Sequence, residues 1–331
     1  MYDFDKIIPR ENTDAIKYEV RKEYFGNPDL IPMWVADMDI ETPSFIVDAM
    51  QQRLNHRIYG YTLRGKDFND SICKWNLKRN QWEIKPEWIS FSPGIVPAVN
   101  MLVMAFTEPG DKILVQTPVY FPFFSAVKNH RRELVTNSLH VNGKEYTIDF
   151  ETLEKQLASG VKMAILCSPH NPVARVWKKE ELEAFAALCL KYNVLIISDE
   201  IHSDLIFPGH KHIPLSTLSE EIAQQTITCM APSKTFNLAG LSTSFLVMPN
   251  KVHRRKYEKI LDDVHVGAGN IFGNVALTAA YTHGGTWVDE LMLYLDGTVN
   301  MMQEFFENEL PQVKMVHPEG TYLVWLDFRS L

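Results

Sequence analysis

Apolar residues in the middle of this chain gather into short unbroken runs bounded by proline, aspartate or serine. The clearest are Lys112–Gln116 (KILVQ), Lys162–Cys167 (KMAILC), Val194–Ser198 (VLIIS) and Thr226–Met230 (TITCM). Continuous aliphatic and β-branched runs of this length predict strands buried on both faces. Between the second and third lies Lys178–Tyr192 (KKEELEAFAALCLKY), with Leu182, Phe185, Ala186 and Cys189 at helical spacing. That pattern predicts an amphipathic helix. Strand–helix–strand order predicts an α/β fold with a mostly parallel central sheet and helices on both faces.

The two ends read differently. Residues 1–45 carry Pro9, Pro28, Pro32 and Pro43 and read as loop-rich. From about Val288 a long helical pattern leads into Gly320–Phe328 (GTYLVWLDF), a strand-like run after which the sequence stops. The expected division is a large domain over residues 46–285 and a smaller α/β domain assembled from 1–45 and 286–331. The smaller domain would have an unfinished sheet.

Composition narrows the class. The formal net charge of −8 over 331 residues speaks against nucleic acid or anionic lipid as a partner. The four cysteines, Cys73, Cys167, Cys189 and Cys229, form no C-x-x-C pair and suit a reducing compartment. The opening MYDFDKIIPRENTD lacks the apolar segment of a signal peptide. The longest aliphatic runs are too short to cross a bilayer. A cytoplasmic enzyme acting on a small molecule is the expectation.

In open parallel sheets, ligands bind beyond the carboxyl ends of the strands. The run Lys162–Cys167 is followed by Ser168-Pro169-His170-Asn171-Pro172, and Val194–Ser198 by Asp199 and Glu200. Thr226–Met230 is followed by Ala231-Pro232-Ser233-Lys234. An amide, a carboxylate and an amine thus reach one sheet edge. Ser92-Pro93-Gly94 precedes a helical pattern and suits an anion, and Tyr120 follows the strand Lys112–Gln116.

Pyridoxal phosphate calls for such parts. A lysine amine bonds its aldehyde, and a carboxylate keeps its pyridine nitrogen protonated so that the ring accepts electrons. On this reading Lys234 anchors the cofactor, Asp199 faces the pyridine nitrogen, Asn171 donates to the phenolic oxygen and Tyr120 stacks on the ring. Gly94, Ile95 and Ser233 hold the phosphate. Singly, these residues are a surface lysine, a helix cap, a turn and core packing. Their joint placement at successive strand ends is what carries the reading.

The same segments resemble a known group. Trp34–Asp39 (WVADMD), Gly60-Tyr61-Thr62, Ser92–Pro97 (SPGIVP), Thr117–Tyr120 (TPVY), His170–Trp177 (HNPVARVW), Ser198–Leu205 (SDEIHSDL) and Ala231–Leu241 (APSKTFNLAGL) occur in the expected order. The chain resembles fold-type I pyridoxal-phosphate enzymes, and among them the aminotransferase-like carbon–sulfur β-lyases of the MalY/PatB (cystathionine β-lyase) group. The resemblance implies β-elimination on cystathionine or cysteine S-conjugates, giving a thiol, pyruvate and ammonia. It implies that Lys234 also moves the Cα proton and that His202 lies near the phenolic oxygen. Tyr61 would reach the phosphate in the neighbouring protomer of a homodimer. The Trp34–Asp39 loop, with Trp34 and Ala36, would line the substrate pocket.

Two departures stand out. Relatives have glycine where this chain has Ala174; if that position needs φ > 0, alanine costs about 1 kcal/mol. Relatives also continue past the GTYLVWLDF run, in a segment bearing the arginine that grips the substrate carboxylate. No residue of this chain can be assigned that role. The competing readings are a class I/II aminotransferase using the same residues, and a cofactor-bound regulator acting through protein contacts. A metal site at His202, His210 and His212 is a weaker alternative.

Overall fold

The computed structural model describes residues 2–331. All four predicted runs form strands within a residue of their patterns: β2 (Lys112–Thr117), β6 (Val161–Cys167), β7 (Leu195–Asp199) and β8 (Thr226–Met230). They join β1 (Ile89–Ser92), β3 (Glu133–Ser138) and β9 (Ser244–Val247) in one sheet of order β1-β9-β8-β7-β6-β2-β3. The pairs β3/β2, β2/β6, β6/β7 and β7/β8 are parallel, whereas β9 runs antiparallel to both β8 and β1. A hairpin of β4 (His140–Asn142) and β5 (Glu145–Thr147) stands apart, as does the two-stranded pair β10 (Lys314–Val316) and β11 (Trp325–Asp327).

The unbroken apolar runs are explained by burial on both faces. Along β2, Ile113 and Val115 enter one cluster with Met163, Ile165 and Ile197. Leu114 enters the opposite one with Ala164, Leu166 and Ile196. Successive side chains alternate across a strand, so both sets must be apolar. The predicted helix forms over Lys179–Lys191 and buries Leu182, Phe185, Ala186 and Cys189. A third cluster joins the helices Ser44–Asn55, Lys66–Asn80, Ile271–His283 and Gly285–Glu309 through Ile46, Ile72, Trp75, Leu277 and Trp287.

The C-terminal strand-like run is shorter than its pattern predicts. Only Trp325–Asp327 is strand, paired with Lys314–Val316. Before it the chain is diverted onto the loops of the large sheet. The Glu319 and Gly320 N–H groups donate to the Ala174 carbonyl (2.9 and 3.1 Å), and Thr321 N–H donates to Leu205 O (2.7 Å). Thr321 takes φ 67° to make this bend. The result delivers Tyr322 to the carboxyl edge of the sheet.

Ala174 adopts φ 58° and is 1% exposed. Left-handed backbone suits glycine, although the buried methyl offsets part of the strain. Ala174→Gly is expected to stabilise the protein by up to about 1 kcal/mol, read as a raised midpoint in chemical denaturation. Among the described residues, no helix is long and apolar enough to cross a membrane.

Candidate active site

The three central parallel strands β6, β7 and β8 lie side by side. Their carboxyl ends therefore place Asn171, Asp199 and Lys234 at one edge. The helix Ile95–Phe106 starts at the same edge after β1, with Gly94 as its cap residue and first-turn N–H groups that no helical carbonyl accepts. Gly94, Ile95, Tyr120, Asn171, Asp199, His202, Ser233 and Lys234 all line a single cavity of about 190 Å³. Three predicted residues, Trp34, Ala36 and Tyr61, are not among those lining it. Trp34 packs against Tyr24 and Phe25 (ring centroids 5.1 and 5.5 Å), and its indole N–H donates to Lys17 O (3.1 Å). The local aromatic cluster thus claims a ring expected at the substrate. Tyr61 is fully exposed.

Ala36 meets the site through its backbone. Lys234 Nζ donates to the Ala36 carbonyl at 2.6 Å, and the Tyr322 hydroxyl donates to the same oxygen at 2.7 Å. Tyr322 also stands edge-on to His202, with ring centroids 6.0 Å apart. Tyr322 is a site residue that sequence reasoning missed, because the GTYLVWLDF run holding it carries only a strand pattern. Ser242 and Thr243, which also line the cavity, were missed as well. Their only signal was position just past the lysine segment.

Burial dominates the electrostatics. It lowers the Lys234 ammonium below the ordinary lysine value, opposed by Asp199 and Asp37. A lysine so placed gives up its proton more readily than one in water. Burial pushes the Asp199 carboxyl up to about 7, while the Ile201 N–H and the Lys234 charge pull the other way. His202 is pushed down to about 3 by burial and then by Lys234, so it is neutral at physiological pH. Both of its ring nitrogens are buried without a partner.

These features fit pyridoxal phosphate. A buried carboxylate with no ion-pair partner suits a protonated pyridine nitrogen, and an unpartnered neutral imidazole suits a ring oxygen. The Asn171 side chain and the helix start supply further donors. His212, considered with His202 for a metal, instead places Nε2 2.9 Å from Glu200 Oε2. Among the described residues, no group of three or more His, Cys, Asp or Glu is placed to hold a metal ion.

The Asp199 shift gives a signed prediction. Its folded value near 7 exceeds the ordinary 3.8. The stability it contributes is therefore full below that ordinary value and lost as pH rises through about 7. Cofactor-free Asp199→Asn is expected to exceed the cofactor-free parent by about 1–3 kcal/mol at pH 8, with the gap closing near pH 4, in urea titrations.

A mostly parallel sheet whose adjoining strand ends carry a desolvated lysine, a buried carboxylate and an amide into one cavity defines a fold-type I pyridoxal-phosphate enzyme. The family model for aminotransferase class I and II matches residues 28–331, and the chain belongs to that family. It is 45% identical to cystathionine beta-lyase PatB of Bacillus subtilis over 99% of its own length and 85% of the relative's. It is 30% identical to protein MalY of Escherichia coli, covering 100% of this chain and 85% of MalY. Among solved structures, it superposes on cystalysin from Treponema denticola, which contains a pyridoxal 5'-phosphate cofactor. That match has a TM-score of 0.97 and 38% identity, over 100% of this chain and 84% of the other. The pyridoxal-phosphate-bound C-S lyase from Staphylococcus hominis gives 0.92 and 36%, over 99% and 82%.

Proposed function

We propose that this chain is a pyridoxal-phosphate-dependent carbon–sulfur β-lyase acting on cystathionine or related cysteine S-conjugates, releasing a thiol, pyruvate and ammonia. The observation that carries the site assignment is the Lys234 amine, desolvated and held at 2.6 Å by Ala36 O in the cavity that Asp199 lines. When bound, the cofactor supplies an electron sink for the carbanion formed at the substrate Cα. Lys234 would anchor it, and its free amine would take the Cα proton. Its low proton affinity keeps free base available for that transfer, which typically contributes about 10²–10⁴-fold. Asp199 would hold a proton on the pyridine nitrogen, Asn171 and neutral His202 would serve the phenolic oxygen, and Tyr120 would pack on the ring. Gly94, Ile95 and Ser233 bind the phosphate. The Cβ–S bond breaks with its electron pair leaving on sulfur, which takes up a proton to give the thiol, and water then hydrolyses the three-carbon enamine that remains to pyruvate and ammonia.

The reaction is tested by incubating the cofactor-loaded chain with cystathionine and no keto-acid acceptor. Pyruvate is expected to accumulate in step with thiol. Thiol-independent consumption that requires an added keto acid would instead mark an aminotransferase.

The small domain is taken as residues 1–45 with 286–331, against a large domain of 46–285. Ala36 and Tyr322, one from each end of the chain, meet at Lys234 and support this division. A homodimer is proposed, with Tyr61 entering the site of the second copy. The exposure of Ile58, Tyr59, Tyr61 and Leu63 in one segment supports it. Sedimentation is expected to give twice the chain mass, and Tyr61→Ala to lose cofactor faster on dialysis. Cytoplasmic residence is supported by four free cysteines.

A further inference from the structure

The separation between the Asp199 carboxylate and the Lys234 amine decides whether a ring fits between them, yet the sheet ladder stops short of both loops that present them. The β7/β8 register ends at Asp199 opposite Cys229. Glu200 N–H donating to Cys229 O (2.9 Å) is the last backbone bond between the two chain segments among the described residues. Beyond it, residues 200–205 and 231–236 run as separate turns. Each is internally closed: Leu205 N–H donates to His202 O (3.0 Å), and Phe236 N–H to Pro232 O (2.9 Å).

One side-chain bond joins the turns. Thr235 Oγ1 donates to Asp204 Oδ2 at 2.9 Å, and Trp75 Nε1 donates to Asp204 Oδ1 at 2.9 Å. Asp204 is 6% exposed, Thr235 0% and Trp75 3%. The carboxylate is thus fixed from both oxygens in a desolvated place, where such bonds are strong and their loss is costly. Trp75 is itself held by stacking on Tyr281 (ring centroids 5.1 Å apart, planes at 12°). Thr235 directly follows Lys234, and Asp204 lies two residues after His202. A shift in this bond therefore moves one turn relative to the other.

We propose that Asp204 and Thr235 are positioning residues: their hydrogen bond sets the spacing between the Asp199 and Lys234 side chains beyond the end of the sheet ladder. This rests on the assignment of Lys234 and Asp199 to the cofactor given above. That assignment has its own check, because it fails if Lys234→Ala keeps the absorbance band of lysine-bound cofactor. Loss of that band leaves the variants below to read the spacing alone.

The test compares Thr235→Val, Thr235→Ser and Asp204→Asn in the cofactor-loaded chain by kcat, KM and visible circular dichroism of the bound cofactor. Valine keeps the shape of threonine without the hydroxyl, whereas serine keeps the hydroxyl. Thr235→Val is expected to lose kcat on the order of 10–100-fold with KM changed less than about threefold, and to alter the visible dichroism. Thr235→Ser is expected to restore both to within about threefold of the parent. Asp204→Asn is expected to follow Thr235→Val; should it fail to fold, the valine and serine pair decides. Thr235→Val with parental kcat and dichroism would overturn the proposal. So would equal impairment of the valine and serine variants.

Discussion

Lys234→Ala is expected to cut β-elimination by about 10⁴-fold or more while leaving the fold intact. The side chain contributes only part of a cavity wall and one hydrogen bond, to Ala36 O. Its removal empties space that already opens to a ligand, so stability changes little. Chemistry loses both the covalent anchor and the base that moves the Cα proton. No neighbouring amine can replace it: among the residues lining the cavity, Lys234 is the only lysine. Pyruvate release from cystathionine at saturating substrate reads the effect directly.

Asp199→Asn is expected to lower kcat on the order of 10²–10³-fold while the cofactor still binds. The amide occupies the same volume at the end of β7 and can keep a bond to the Ile201 N–H (3.1 Å in the parent). It carries no charge to hold a proton on the pyridine nitrogen, so the ring withdraws electrons less well when the carbanion forms. Without cofactor the same substitution removes a carboxyl whose ionisation burial disfavours. One change thus stabilises the empty protein at pH 8 and disables the loaded one, a pairing that a merely structural aspartate would not produce. Stopped-flow assays and urea titrations on the same preparation read both halves.

Much of the site was legible because its parts are local to strand ends. Asn171, Asp199 and Lys234 each follow an apolar run by a few residues, and β6, β7 and β8 adjoin in the sheet. Hydrophobic runs reveal where strands are, not which way they run. A strand buried on both faces looks the same in either direction, so the reversal of β9 was hidden. The run Gly320–Phe328 misled for a related reason. Its residues have strand propensity, but tertiary bonds from Glu319, Gly320 and Thr321 to Ala174 and Leu205 pull the first half away from any partner strand. That diversion brings Tyr322 to Ala36, a contact across 286 positions that no local pattern encodes. Trp34 shows the opposite case. Its segment matched, yet its ring packs on Tyr24 and Phe25 and does not line the cavity. The Asp204–Thr235 bond joins two segments that were both singled out, but only coordinates pair the side chains.

The absorbance spectrum of the purified chain mixed with pyridoxal phosphate tests the central claim most directly. A long-wavelength band from cofactor bonded to lysine is expected in the parent and absent in Lys234→Ala, with both proteins equally folded by far-ultraviolet dichroism. An identical band in Lys234→Ala, or a parent that shows only the spectrum of free cofactor, would contradict the placement of the ring between Lys234 and Asp199.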